Sequence, residues 1–324
     1  MSPRQVTRRF RGTTVIDNLR LKNVRGGPFD EIGRVYHINT AGAVYAGDDA
    51  NSGLEYEHPM LTITGALARC VSGRNDYILV HDYWRPVGET FPIQVNKKKV
   101  HILGVAQPNF PYPAVHPAAD LAAFAVNESG SYSEIGLLTI GGGNSYAGIT
   151  LGAVTGVNTK PEGVLINGCI FGHSWFGTPL SGIDSPQYGA MGAMILECSF
   201  LGDLIDAGGT ITGNAIDFTT AVAGHEGLQI IGCKFAGVAI AVNLYRGQSA
   251  LIQGNTFAVP DAQNGEAVTL QSDNLGVMVK DNEAINGMLS AGYTYNPYRD
   301  LSADPANHWG MNHRGNAVIE PVGI

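Results

Sequence analysis

VLINGCIFG, at residues 164–172, is followed by four similar segments further along the chain, and the last of them lacks the Phe that the others share. The related segments are MILECSFLG (194–202), LQIIGCKFAG (228–237), ALIQGNTFA (250–258) and GVMVKDNEA (276–284). They superpose without internal gaps, although the length of chain between them varies. Self-similarity of this kind is typical of repeat architectures, in which each copy contributes one equivalent structural unit.

The superposition defines three columns of residues. The columns hold Ile166, Ile195, Ile230, Ile252 and Val279; then Cys169, Cys198, Cys233, Asn255 and Asn282; then Phe171, Phe200, Phe235, Phe257 and, as the lapse, Ala284. The middle column advances by 29, 35, 22 and 27 residues from copy to copy. The core of each copy is therefore constant while the loops vary, as in a solenoid.

The repeats favour β-strands over helices, because they are short, rich in β-branched residues and bounded by Gly or Asn. A second ladder consists of SGIDS (181–185), NAIDF (214–218), VAIAV (238–242) and EAVTL (266–270). It places Ile183, Ile216, Ile240 and Val268 in register. Each turn of the coil should contribute at least two parallel strands, with like residues stacked about 4.8 Å apart.

These stacked columns resemble those of the right-handed parallel β-helix family. The resemblance implies an all-β solenoid over residues 76–285, after an opening segment at residues 36–75 that contains a short N-terminal capping helix. The stretch AGDDANSGLEYEHPMLTITGALARC (46–70) looks like such an opening. Leu61, Ile63, Leu67 and Val71 can share one face of its helix. Covering the first turn prevents its edge from pairing with another chain. Residues 286–324, beyond the repeat, are expected to form a C-terminal cap or arm.

Charge is distributed unevenly along the chain. Residues 1–34 carry eight basic and three acidic side chains, a net charge of +5. The other 12 basic and 25 acidic side chains give −13, so that the total is −8. We interpret residues 1–35 as a basic N-terminal arm on an acidic body. Because apolar residues are interleaved with its arginines, the arm favours a protein partner over nucleic acid. The predicted partner-binding residues are Arg4, Arg8, Arg9, Phe10, Arg11 and Ile16.

Other chemistry is weakly indicated. No run approaches the roughly 20 apolar residues of a membrane helix, and the four cysteines are too sparse for a disulfide framework and are interpreted as thiols. We predict neither a metal site nor a cofactor.

Asp184 and Asp217 occupy matching positions after the Ile of the second ladder, and paired carboxylates serve in glycoside cleavage. They are the candidate catalytic residues if the protein is an enzyme, but the sequence favours two solvated, outward-facing side chains.

A basic arm followed by a short β-helix resembles the layout of bacteriophage virion proteins, both capsid decoration proteins and tailspikes. That resemblance implies a structural virion protein, made in the host cytoplasm, that docks on capsid or tail proteins through its arm and forms a homotrimer. The residues expected at the trimer contact are outward-facing Ala193, Ala239, Ala241 and Ala267, with Tyr293, Tyr295, Tyr298 and Trp309. The alternative is a polysaccharide-degrading tailspike, a glycoside hydrolase or lyase that acts on a bacterial surface polysaccharide.

Overall fold

The computed structural model describes residues 33–81, 88–105, 112–152, 160–173, 179–186, 189–202, 211–219, 224–259, 265–286, 296–302, 304–314, 317–318 and 322–323. Within these ranges the strands build three long sheets, and from Val100 to Arg314 the chain visits the three sheets in turn. Every turn of the chain therefore adds one layer. The fold is the predicted right-handed parallel β-helix.

The strands, labelled in chain order, belong to the following sheets. Sheet I contains β1 (Val35–Ile38), β2 (Asp76–Val80), β4 (Val100–Gly104), β7 (Glu134–Gly136), β10 (Leu165–Asn167), β13 (Met194–Leu196), β17 (Gln229–Ile231), β21 (Leu251–Gln253), β24 (Met278–Lys280) and β27 (His308–Gly310). Sheet II contains β5 (Ala114–Val115), β8 (Thr139–Ile140), β11 (Ile170–Phe171), β14 (Ser199–Leu201), β18 (Lys234–Ala236), β22 (Thr256–Val259), β25 (Glu283–Asn286), β28 (His313–Arg314) and β29 (Ala317–Val318). Sheet III contains β3 (Ile93–Val95), β6 (Phe124–Val126), β9 (Ile149–Leu151), β12 (Ile183–Asp184), β15 (Ile216–Phe218), β19 (Ile240–Leu244), β23 (Glu266–Leu270), β26 (Tyr298–Asp300) and β30 (Val322–Gly323). A small parallel ribbon pairs β16 (His225–Glu226) with β20 (Gly247–Gln248).

The predicted capping helix is present as α1 (Ile63–Arg69). Its N-cap is Thr62, whose side-chain hydroxyl accepts a hydrogen bond from the backbone N–H of Gly65 at 2.9 Å. Leu67 is buried on the face toward the coil. Val71 was expected on this face but lies beyond the end of the helix and is half exposed. A 3-10 helix spans Glu128–Gly130.

The inner columns are confirmed. Ile166 pairs with Ile195, and the register continues through the predicted members to Val279, all of them fully buried. In the aromatic column the Phe200 ring lies between those of Phe171 and Phe235, with ring centroids 4.8 Å apart on each side. In-register parallel pairing thus places identical side chains on top of one another.

The coil extends beyond the limits of the visible repeat. Strand β1 joins sheet I before residue 76, and β26, β27, β28 and β30 extend the sheets past residue 285. Trp309 pairs with Val279, and Asn312 accepts a hydrogen bond from the backbone of Asn282. The described part of residues 286–324 therefore continues the coil. The sequence pattern does not reveal this last layer of the coil, because Trp309 and Arg314 occupy positions that hold an aliphatic and an aromatic residue in earlier layers.

The predicted register of the second ladder is wrong at one strand. Val242, not Ile240, pairs with Ile216 and Val268, while Ile240 pairs with Glu266. A shift of two residues preserves the alternation of inward and outward side chains, so the hydrophobic pattern alone does not distinguish the two registers.

The alanines expected on the surface do not form an outer face. Three of the four are buried in the coil, namely Ala193, Ala241 and Ala267. Ala241 precedes the inward Val242, and Gly182 holds the equivalent position two strands earlier in sheet III. A Cβ at Gly182 would lie 2.6 Å from the Phe200 ring. Small residues occupy the position before the inward residue in these strands because the stacked Phe rings fill the adjacent space.

The Cys and Asn side chains of the middle column make the same kind of hydrogen bond. The thiol of Cys233 donates to the backbone carbonyl of Ile195 in the preceding turn, with sulfur and oxygen 3.5 Å apart. The side-chain amide of Asn255 donates to the carbonyl of Ile230 in the same way, at 3.0 Å. All four cysteines are free thiols, as interpreted from the sequence, and all four are buried. Burial raises the pKa of the Cys198 thiol well above its ordinary value, so this sulfur stays protonated.

The residue before each member of that column has a left-handed backbone, and so do the residues before Leu138 and Asn312, which hold the same position in the flanking layers. These residues are Leu137 (φ 55°), Gly168 (61°), Glu197 (52°), Gly232 (67°), Gly254 (65°), Asp281 (56°) and Met311 (48°). The conformation turns the chain sharply from sheet I into sheet II. It favours glycine, because a Cβ in this region crowds the following carbonyl oxygen.

This bend predicts opposite effects of two exchanges. Gly232→Ala should lower the free energy of unfolding by about 1–2 kcal/mol. The new Cβ makes only an ordinary van der Waals contact, with Glu197 Cγ at 3.7 Å, so only the backbone conformation is penalised. Glu197→Gly should raise the same quantity by about 0.5–1 kcal/mol. Urea unfolding of both variants measures this, and effects of the same sign would contradict the proposed role of the bend.

Candidate functional site

A row of polar residues runs along the outer face of sheet III, one residue from each successive strand. The polar row consists of Thr150, Asp184, Asp217, Asn243, Thr269 and Arg299. Each member follows an inward-facing residue, so the alternation of the strand directs it outward. Although they face away from the core, Thr150, Asn243 and Thr269 are buried. The row therefore lies in a recess and not on an open surface.

Asp184 is the most perturbed member of the row. The residue is partly exposed, but its Oδ1 atom is fully shielded and has no hydrogen-bond partner among the described residues. Burial raises the pKa of Asp184 to about 7; a hydrogen bond with Thr150 acts in the opposite direction, and the charge of Asp217 adds to the rise. The expected solvated carboxylate is thus wrong for Asp184, because the sequence pattern gives the direction of a side chain but not what covers it.

Asp217 lies next to Asp184 on the neighbouring strand and has a different environment. Its Oδ1 accepts hydrogen bonds from the hydroxyl of Thr219 at 2.8 Å and from the side-chain amide of Asn243 at 3.3 Å. The amide oxygen of Asn243 in turn accepts from Gln271 at 2.9 Å. The two carboxyl groups are therefore distinguished by their surroundings.

The row ends in an ion pair. The carboxylate of Glu266 is buried and binds the guanidinium of Arg299 on one oxygen and the hydroxyl of Thr269 on the other. Arg299 is partly exposed at the rim of the recess. The guanidinium compensates the charge that Glu266 brings into the recess.

These environments suit proton transfer. A carboxyl group with a pKa near neutrality can donate a proton at neutral pH, and a neighbouring carboxylate can act as nucleophile or base. Adjacent parallel strands are about 4.8 Å apart. Among the described residues, no three His, Cys, Asp or Glu side chains converge to hold a metal ion.

Sequence reasoning identified Asp184 and Asp217 but missed the rest of the row. Thr150 and Asn243 directly follow inward aliphatic residues, as the two aspartates do. The signal was present in this position, but the register error at Ile240 placed Ala241 in the row in place of Asn243.

The predicted interface residues have different outcomes. Tyr298 is completely buried beside Phe257, with an edge-to-face ring contact at 6.4 Å, so this side chain belongs to the core of its own chain. Its assignment to a subunit contact is wrong, because β26 carries it into the coil. Trp309 is partly buried and donates its indole N–H to Asp300 at 3.0 Å. Eight other predicted residues lie outside the described residues: Arg4, Arg8, Arg9, Phe10, Arg11, Ile16, Tyr293 and Tyr295.

Comparison with known proteins yields structural similarity at low sequence identity. No protein-family model matches the chain, and no curated protein matches its sequence. Pectate lyase Pel9A is 13% identical, with 90% of this chain and 80% of that chain covered and a TM-score of 0.46. Alginate lyase from Paenibacillus sp. str. FPU-7 is 13% identical, with coverages of 79% and 97% and a TM-score of 0.42. Dettilon tailspike protein is 12% identical, with coverages of 86% and 68% and a TM-score of 0.34.

None of the described helices is long and apolar enough to span a membrane.

The environment of Asp184 predicts a pH-dependent effect of Asp184→Asn. The folded pKa of about 7 lies above the ordinary value, so ionisation opposes folding, and wild-type stability should fall as pH rises from about 4 to 7. The variant carries no charge there. It should match wild type at pH 4 and exceed its free energy of unfolding by about 2–4 kcal/mol at pH 8. Urea unfolding at both pH values tests this, and a difference that does not change with pH would contradict it.

Proposed function

We propose that the protein is a structural component of a virus particle, in which the β-helix is a rigid projecting shaft and residues 1–35 dock it on a capsid or tail protein. The observation that carries the proposal is the in-register stacking of ten strands in sheet I. Nine intervals of about 4.8 Å give a rod about 43 Å long. Because every layer is tied to the next by backbone hydrogen bonds and stacked side chains, such a rod resists bending.

The charge distribution supports docking through the arm. The arm carries +5 and the remainder of the chain −13. A basic segment with interleaved Phe10 and Ile16 can combine ionic and apolar contacts with a protein shell, whereas the acidic shaft is repelled by acidic surfaces.

Deletion of residues 2–32 tests this role. We expect the truncated protein to unfold with the wild-type midpoint, because the shaft retains its own core. Without the arm it should fail to co-sediment with virus particles that were assembled without the protein. A matched variant with Arg4, Arg8, Arg9 and Arg11 changed to Lys keeps the charge and should bind far better than one with the same residues changed to Glu. Wild-type occupancy of particles by the truncated protein would refute docking through the arm.

A second function, cleavage of a polysaccharide, is favoured by one specific observation: the shielded Asp184, with its pKa raised to about 7, directly beside Asp217. In this function Asp184 protonates the leaving glycosidic oxygen and the carboxylate of Asp217 acts as nucleophile or base. Hydrolysis is favoured over lyase chemistry, because Arg299, the basic member of the polar row, already pairs with Glu266. The recess would bind an extended glycan chain along the strand stack.

Incubation with acidic and neutral bacterial polysaccharides tests this second function. We expect reducing ends to be released without unsaturated products, and a loss of at least about 100-fold in rate for Asp184→Asn and for Asp217→Asn. Asp273→Asn, which changes an exposed carboxylate elsewhere on the coil, is the matched control and should retain wild-type activity. No release from any polysaccharide, or equal activity of all three variants, would exclude these residues as catalytic.

A further inference from the structure

Two histidines form a hydrogen-bonded pair on the outer face of sheet I, at the beginning of the coil. His37 lies in β1, and His81 directly follows β2. The Nδ1 atom of His37 is 2.9 Å from the Nε2 atom of His81, and the two ring planes differ by only 19°. The pair therefore joins the first two layers of sheet I from the outside.

The loop at residues 53–60, which we call the entry strap, lies over this pair and along the edge of β1. The backbone of His37 donates to the first residue of the strap at 2.7 Å and accepts from the last residue at 2.8 Å. Tyr56 packs edge-on against the His81 ring, with ring centroids 4.8 Å apart, and against the His37 ring at 6.0 Å. The strap thus covers the edge of the first strand, and the histidine pair is part of the surface on which it rests.

A hydrogen bond between two imidazole rings depends on their protonation. A neutral imidazole has one donor nitrogen and one acceptor nitrogen, whereas both nitrogens of an imidazolium are donors. The bond between His37 and His81 therefore persists as long as one of the two rings is neutral. When both rings are protonated, two N–H groups and two positive charges face each other across 2.9 Å, and the rings must separate.

The surroundings of the pair favour its neutral form. The pKa of His81 is lowered to about 4, first by burial and then by the charge of His37. Burial also lowers the pKa of His37, against the opposing effect of Glu57 on the entry strap. The other two ionisable side chains at this end of the strap, Glu55 and His58, form an exposed ion pair with each other, with nitrogen and oxygen 3.5 Å apart.

The strands around the pair contribute apolar neighbours. In register with His37, the next two strands of sheet I carry Leu79 and Leu103. Asp82 and Arg85 follow His81 in the sequence but lie outside the described residues. Glu57 is therefore the described counter-charge for a protonated pair.

We propose that His37 and His81 form an acid-opened clasp, which holds the entry strap on the coil while one ring is neutral and releases it when both rings are protonated. A base whose protonated form is disfavoured in the folded protein stabilises the fold at high pH, and this contribution is lost as pH falls. Release uncovers the edge of β1, and an uncovered strand edge can pair with another chain. The clasp does not depend on the proposed function.

Hydrogen exchange of the full chain, measured by mass spectrometry, tests the clasp because it reports each segment separately. After correction for the intrinsic exchange rate, protection of the entry strap should fall at least about tenfold between pH 7 and pH 4, while protection of residues 164–172 should change less than about twofold. A global measurement would mix this effect with two others. Ionisation of Asp184 has the opposite sign, and the buried ring of His225 also has a pKa lowered to about 4.

Two variants locate the effect. His81→Gln leaves one titrating ring beside an amide that can accept its proton, so the strap should be as protected at pH 4 as it is in the wild type at pH 7. The matched control, His58→Gln, removes an exposed histidine of the strap and should keep the wild-type loss. Equal protection of the wild-type strap at both pH values would overturn the proposal. So would a loss that persists in His81→Gln, disappears in His58→Gln or extends equally to residues 164–172.

Discussion

The structure depends on the hydrogen bonds that Cys and Asn side chains make at the bend between sheets I and II. At this bend the chain turns sharply, and a buried carbonyl must be satisfied in every layer. Asn282 donates to the carbonyl of Ile252 at 3.0 Å, and its side-chain oxygen accepts from the backbone N–H of Asn255 at 3.0 Å. Cys233 donates to a carbonyl in the equivalent way. From Cys169 to Asn312 the column thus joins each layer to the one before it and helps to fix the register.

Register has consequences for both outer surfaces. Once each layer is aligned with the last, outward residues are also aligned, and a property repeated along the sequence becomes a continuous stripe. On sheet III the stripe is polar and recessed, so it brings Asp184 beside Asp217 in a shielded environment. On sheet I the stripe is apolar and partly exposed around Met194 and Ile231. The same constraint therefore produces a candidate chemical site on one side and an apolar stripe on another.

The sequence predicts the inner columns well, because like residues recur in a short motif of fixed length, as Ile166 and Ile195 do. It predicts the ends of the coil poorly, because Trp309 occupies a position held by aliphatic residues elsewhere. It also fails for burial outside the core. The alternation of inward and outward side chains predicts that Asp184 points outward, but not that other groups shield it. Nor does it distinguish two strand registers that differ by two residues, as at Ile240 and Val242.

The most direct test of the central column is the free energy of unfolding of Asn282→Ala compared with Asn282→Cys. Alanine leaves the N–H of Asn255 and the carbonyl of Ile252 without these partners in a buried position, so the loss should be about 3 kcal/mol. Cysteine restores a donor to the carbonyl, as in the earlier layers, and should recover about half of that loss. Equal losses for the two variants, or a loss below about 1 kcal/mol for alanine, would contradict the proposal that this column holds the layers in register.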